Sequence, residues 1–279
     1  MRDTTRLVTG AGFAIDDVRI CARTPSWLPS ESSSSFRLVF IRRGVFRLRL
    51  GGQELVADPT TAYVARAGEE QSIAHRVGAR DTSTSVTLSP ALVADFGAVD
   101  APAATGPLRS SGSVDLAHRV LYARATSGAD GFELAERVLR LAADALDPRQ
   151  HAPSAASVSA TALARKRVVD AAREALAADP ISLGLEPLAA KVNVSPAYLS
   201  RIFHRETGHT LTRFRNRLRV RLVLDRLEDG ETNLARLAAD LGFADHAHLT
   251  RTVRDDVGHT PSVVRALLAN GPAELAIAN

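Results

Sequence analysis

The chain has 279 residues, room for two ordinary domains, and its 45% hydrophobic and 24% charged residues are values of a globular protein. No run approaches the roughly 18 apolar residues of a membrane span, the start lacks an apolar signal core, and one cysteine, Cys21, cannot build a disulfide framework; together these point to a reduced, cytoplasmic protein. The net charge of +4 is too small by itself to name a nucleic-acid partner, and clustering of basic residues on particular helices is the better guide.

In chain order, residues 36–88 predict short strands. FRLVFIRR, VFRLRLGG, ELVAD, TAYVARAG and TSVTLS are β-rich runs divided by Gly44, Gly51-Gly52, Asp58-Pro59 and Gly68. Phe46, Leu48 and Leu50 alternate with Arg47 and Arg49, which gives one buried and one wet face. Several short strands at such spacing predict a small barrel or jelly roll. Its inward positions, Phe40, Phe46, Leu48 and Tyr63, are candidate liners of a ligand pocket, or plain core.

Residues 89–147 read as helical, with Asp115, Leu116, Val120 and Leu121 opening one helix and Leu134, Val138, Leu141 and Leu146 on one face of another. Asp147 to Ala160 is rich in Pro, Ser and Ala without apolar periodicity and reads as a flexible linker. This divides the chain into a sensing or dimerising domain (1–150), a linker (151–160), a helical domain (161–270) and a tail (271–279).

The helical domain contains one pattern written twice. Leu188-Ala189-Ala190, Leu199-Ser200-Arg201 and Gly208-His209-Thr210 recur as Leu237-Ala238-Ala239, Leu249-Thr250-Arg251 and Gly258-His259-Thr260. Each copy reads as helix, tight turn, helix. Asn193 and Gly242 take the turns, Ser195-Pro196 and Asp245 start the second helices, and Gly208 and Gly258 end them. Between the copies, Leu211 to Glu228 shows two competing signals. Arg213, Arg215, Arg217, Arg219 and Arg221 alternate as in a strand, but an uninterrupted run of about 18 residues favours a helix, roughly 27 Å long at ~1.5 Å per residue. Such a strut could hold two recognition helices for successive major grooves, which recur every ~34 Å.

Arg165 to Leu268 resembles the DNA-binding domain of the AraC family of bacterial transcriptional regulators, with Gly242-Phe243 and Gly258-His259-Thr260-Pro261 as the family's motif. The chain departs from the family at Leu211, where proline is usual, and at Leu249, Val253, Val257 and Val264, where aromatics are favoured; a smaller second core is expected from these. The β-rich part resembles the cupin-type sensor domain that precedes this domain in many members. The fold class expected is α+β, a cupin-like barrel with helices followed by an all-α domain of two helix-turn-helix motifs on a long helix. The resemblance implies a sequence-specific regulator of transcription, with double-stranded DNA and RNA polymerase as partners, a small-molecule effector in the barrel, and a homodimer through helices within 114–147.

Helix register places Ala197, Ser200, Arg201 and His204 on one face, and His246, Ala247, Thr250, Arg251 and Arg254 on the matching one. The family's base-reading positions fall on these faces, and the arginine fork suits guanine O6 and N7. Arg205, Thr210, Arg213 and Thr260 are expected to contact phosphate, which positions without specifying. The alternative is a cupin-like metal enzyme or an interaction module carrying a DNA-binding tail. The barrel offers one histidine, His75, and Gln71 stands where metal-binding cupins offer another, so no metal, no cofactor and no catalytic residues are expected.

Overall fold

The computed structural model describes residues 2–21, 27–96, 106–147 and 159–269. The β-rich part opens with strands β1 (Arg2–Gly10) and β2 (Phe13–Cys21). It continues through β3 (Glu31–Ser32), β4 (Phe36–Arg43), β5 (Phe46–Leu50), β6 (Gln53–Ala57), β7 (Thr61–Ala65), β8 (Glu70–His75) and β9 (Arg80–Leu88). Helix α1 (Pro90–Asp95), strand β10 (Gly106–Arg109) and helices α2 (Gly112–Thr126) and α3 (Gly131–Leu146) complete it. All five predicted runs are strands. Strands β1, β2 and β8 had no clear signal: β1 is polar because most of it is exposed, and β2 and β8 carry Asp, Arg, Glu or Gln at positions the tertiary structure buries or pairs. Residues 89–147 are not helical throughout, because Gly106–Arg109 adds to the edge of β7, pairing from Gly106↔Val64 to Arg109↔Thr61.

The strands form two antiparallel sheets, one ordered β1-β2-β9-β4-β7-β10 and one ordered β3-β8-β5-β6. Val39, Ile41, Phe46, Leu48, Leu50 and Tyr63 pack between them. The opposite face of the larger sheet carries Ile15, Leu38, Phe40, Val64 and Val86 and is covered by α1, α2 and α3. Strand β4 is therefore buried on both faces, and Phe40 points at the helices rather than into the barrel, stacking on His118 with ring centroids 4.9 Å apart.

The helical part consists of α4 (Ala160–Ala178), α5 (Leu185–Lys191), α6 (Pro196–Thr207), α7 (Leu211–Glu228), α8 (Leu234–Asp240), α9 (His246–Val257) and α10 (Pro261–Leu268). Ser159 caps α4 by accepting the Ala162 N–H, so the helix takes over the end of the expected linker; the rest of that linker and the tail lie outside the described residues. The arginine-rich strut is helical over all 18 residues, so length prevailed over alternation. The helices enclose two apolar cores. Val169, Ala172, Leu176, Leu188, Leu199, Ile202, Phe203, Phe214 and Leu218 form the first. Val223, Leu224, Leu237, Phe243, Leu249, Val253, Val257 and Val264 form the second, together with Leu116 and Val120 from α2. The four positions where aromatics were absent are all buried, and α2 of the β-rich part supplies side chains to the same core.

Polar contacts follow the same seam. Arg119 of α2, fully buried, donates to Asp225 Oδ1 at 2.7 Å and Glu228 Oε2 at 3.2 Å on α7. Arg221 of α7 pairs with Asp115 of α2 at 3.0 Å and with Asp256 of α9. Gly112, at the start of α2, lies so close to the Asp256 carbonyl that a Cβ there would collide with it. His118, also buried, is pushed down to about 3 by desolvation, and Arg119, Arg42 and Arg221 add to this against the opposing Asp115.

Candidate nucleic-acid interface

Both copies of the repeat fold as helix, turn, helix, and local chemistry explains the turns. Asn193 adopts φ +55° and Gly242 φ +71° between the helices of each pair, the left-handed conformation that asparagine and glycine tolerate. Ser195 Oγ accepts the Tyr198 N–H at 3.2 Å ahead of Pro196, and Asp245 Oδ1 accepts the His248 N–H at 2.6 Å. Gly208 and Gly258, at φ +73° and +80°, end α6 and α9.

Helix α6 buries Leu199, Ile202 and Phe203, with Phe203 edge-on to Phe214 of α7 at 5.3 Å. Its outer face presents Ala197, Ser200, Arg201 and His204, all exposed, with Arg205 beside them. Arg201 lies over the Tyr198 ring at 5.4 Å, which orients the side chain and leaves its N–H groups for a partner. Helix α9 buries Leu249, Val253 and Val257 and exposes His246, Ala247, Arg251 and Arg254. Thr250 is half-buried, and its hydroxyl lies 3.4 Å from His246 Nε2. The structure thus brings together each of the two expected groups on its own helix face.

The expected phosphate-binding residues lie in the last turn of α6, at the start of α7 and at the start of α10. Thr210 caps α7 by accepting the Arg213 N–H at 3.1 Å, which leaves its hydroxyl proton free to donate outward. Thr260 stands at the equivalent place before α10 and makes no side-chain capping bond. Arg205 and Arg213 are exposed. Among the described residues, no carboxylate lies within ion-pair distance of Arg201, Arg205, Arg213, Arg251 or Arg254. The inner arginines of α7 are committed instead. Arg217 pairs with Asp256 at 3.6 Å and donates to Ser110 O, and burial followed by Arg221 pushes it down to about 10. Arg221 is held as described, and Asp225 is occupied by Arg119 and Arg43.

In the barrel, a cleft of about 30 Å³ opens between the sheets. Phe46 and Tyr63 line it, with Arg2, Arg37, Gln71 and Asp81; Leu48 belongs to the packed core and Phe40 to the opposite face of the sheet. Two of the four expected liners are therefore corrected: alternation cannot say which face of β4, buried on both sides, meets a cavity, and Leu48, although on the inward face of β5, is filled around by neighbouring core side chains. Burial pushes the Tyr63 hydroxyl up to about 12, although Arg37 and Arg2 oppose the shift. His75 Nδ1 lies 2.5 Å from Asp81 Oδ2 in the wall of the barrel. Among the described residues, no three His, Cys, Asp or Glu side chains converge as metal ligands would. No helix among them is long and apolar enough to cross a membrane.

Two helix-turn-helix motifs on one connecting helix, each with an exposed basic face, define a DNA-binding domain. Residues 188–266 match the family model described as a helix-turn-helix domain. No curated protein matches the chain. Among solved structures, apo ToxT from Vibrio cholerae is similar at 8% identity over 93% of this chain and 99% of that one, with a TM-score of 0.41. ToxT from the same organism bound to (E)-4-(8-methylnaphthalen-1-yl)but-3-enoic acid is similar at 10% identity over 93% of this chain and 100% of that one, TM-score 0.37. A cupin superfamily protein from Desulfitobacterium hafniense is similar at 16% identity over 32% of this chain and 78% of that one, TM-score 0.28.

The residues that sequence reasoning missed lie at the seam between the two parts. Asp115, His118 and Arg119 follow a helical i, i+3, i+4 spacing beside the apolar pair Leu116 and Val120. A polar stripe next to an apolar stripe, with little left for solvent, was the available signal that this helix is buried on two sides.

Proposed function

We propose that this protein reads two adjacent major-groove segments of double-stranded DNA, one with α6 and one with α9. The observation that carries the proposal is the pair of matched outer faces, Ser200-Arg201-His204 exposed on α6 and Arg251-Arg254 exposed on α9 beside the half-buried Thr250, on helices whose opposite faces are the two cores. Arg201 and Arg251 are assigned to guanine edges, and Arg205, Thr210, Arg213 and Thr260 to phosphates. The role is transcriptional control rather than catalysis, in the cytoplasm, with RNA polymerase as the downstream partner. The β-rich part (1–150) is assigned to effector sensing and association, separated from the DNA-binding domain (161–270) by the stretch 151–160. For the effector we assign the cleft beside Tyr63, where Gln71 Oε1 and Ser85 Oγ are buried without hydrogen-bond partners. For a homodimer we assign the outer face of α3, where Phe132 is 76% exposed and Leu139 follows two turns later; α2 is excluded because it is buried between the two parts.

Binding of the full chain to its own upstream DNA against scrambled DNA, across a salt series, tests this reading. A sequence preference that persists while affinity falls with salt is expected. Equal, salt-sensitive binding to both DNAs would remove the base-reading assignment.

A further inference from the structure

The two helix-turn-helix halves have separate apolar cores, and no apolar cluster spans them. What joins them is α7, which contributes Phe214 and Leu218 to the first core and Val220, Val223, Leu224 and Leu227 to the second. At the changeover, between Leu218 and Val220, stands Arg219, a charged residue only 6% exposed. Its guanidinium is held by three backbone carbonyls. Nε donates to Pro180 O at 2.9 Å and Nη2 to Ile181 O at 3.0 Å, both in the segment between α4 and α5 of the first half. Nη1 donates to Gly242 O at 2.8 Å, in the turn between α8 and α9 of the second half.

The approach is close enough to dictate the residue opposite. A Cβ on Gly242 would lie 3.0 Å from Arg219 Nη2 and 3.6 Å from Ile181 Cγ2, at a backbone φ of +71° that side chains already disfavour. Gly242 therefore serves both the turn and the contact. Three residues later Asp245 caps α9, so the contact sets where the second recognition helix begins relative to the α4–α5 segment. A planar fork of five donors can reach three carbonyls in different directions, which a lysine ammonium on its flexible stem does not reproduce.

We propose that Arg219 is a positioning residue for specificity: it braces the two helix-turn-helix halves against each other and so fixes the spacing between the DNA segments that the protein accepts. It touches no DNA. The inference rests on the reading that α6 and α9 both enter major grooves, and it names the side chain that makes their separation a fixed quantity. Without the brace α7 remains a continuous helix with intact cores on both sides, so the expected loss is of rigidity rather than of fold.

Two readouts on the full chain test it. The first needs no DNA. Spin labels at Lys191→Cys and Asp240→Cys, equivalent exposed positions of the two copies, are placed in a Cys21→Ser background, and the distance distribution is measured with Arg219 intact and with Arg219→Met. A broader distribution in the Met variant, with a partial effect in Arg219→Lys, is expected; an unchanged one overturns the brace. The second uses a site selected by the wild-type chain from random-sequence duplex DNA, remade with one or two base pairs added or removed between the two contacted segments. The wild type is expected to lose about tenfold or more in affinity per changed spacing, as for a lost base contact, while Arg219→Met loses markedly less. A spacing profile identical in both proteins overturns the specificity role even if the brace exists. Failure of the wild type to enrich any site overturns the DNA-reading assignment and the specificity role with it, while the label distances still report separately on the brace.

Discussion

The two helix-turn-helix halves repeat one backbone design, yet they close their cores from different sources. The first uses α4, whose Val169, Ala172, Ala175 and Leu176 pack on α5 and α6, and it contains the aromatic pair Phe203 and Phe214. The second has Leu249, Val253 and Val257 on the corresponding inner face, and it borrows Leu116 and Val120 from α2, more than 100 residues earlier in the chain. The ties to the barrel differ in kind as well. On the first half Arg47 meets Glu174 with about half of the arginine exposed, and Arg173 reaches the buried Asp58. On the second half Arg119, Asp115 and Arg221 are all out of solvent. An exposed pair contributes little, whereas removing one member of a buried network leaves an uncompensated charge. The second half is thus the one tied to the β-rich part by both a shared apolar core and fully buried charges.

That comparison can be broken at its strongest point first. Arg119→Ala leaves Asp115, Asp225 and Glu228 without their shared partner and is expected to cost about 3–5 kcal/mol. Hydrogen exchange should then speed up in α8 to α10 well before α4 to α6; equal acceleration in both halves would mean that the barrel supports them alike.

Acid tests the same seam. His118 titrates near 6.5 when unfolded but is held to about 3 in the fold, surrounded by Asp115, Arg119, Arg42 and Arg221 and stacked on Phe40. Between those values the unfolded chain binds the extra proton, so stability is full above the unfolded pKa and is lost as pH falls from 6.5 towards 3. The expected loss is of the order of a few kcal/mol across that window. Urea midpoints at several pH values for wild type and His118→Phe measure it, and the variant should show a shallower decline. Equal slopes would mean that other groups carry the acid sensitivity.

Next in size are the two faces proposed to read DNA. Arg201→Ala and Arg251→Ala are each expected to weaken specific binding by about 1–3 kcal/mol and to relax base choice at one position, without moving the urea midpoint. Uniform weakening on every sequence would reassign that arginine to phosphate. The smallest effect is expected from Arg47→Ala on the first half, at most about 1 kcal/mol by urea unfolding and smaller at high salt. A larger cost there would remove the asymmetry between the halves.

Much of this architecture was legible in the residues. The repeated Leu-Ala-Ala, the caps at Ser195 and Asp245, and the left-handed positions Asn193, Gly208, Gly242 and Gly258 are local signals, and each produced the expected turn or helix end. The exposed faces of α6 and α9 follow from register once the helices exist. The barrel strands with clean alternation were legible too, whereas β1, polar and largely exposed, offered no pattern to find.

What the sequence determined by itself was local: where helices start and stop, which residues repeat, and which side of a recognition helix is free. The tertiary structure decided everything that depends on a partner distant along the chain. It turned Phe40 towards α2 rather than into the barrel, committed Arg217, Arg219 and Arg221 while leaving Arg213 exposed, and placed Leu116 and Val120 in the core of the second half. The physical reason is that a periodicity shows that a face is buried without showing against what. A buried arginine announces itself only when the carboxylates or carbonyls that hold it are brought within about 3 Å by the fold.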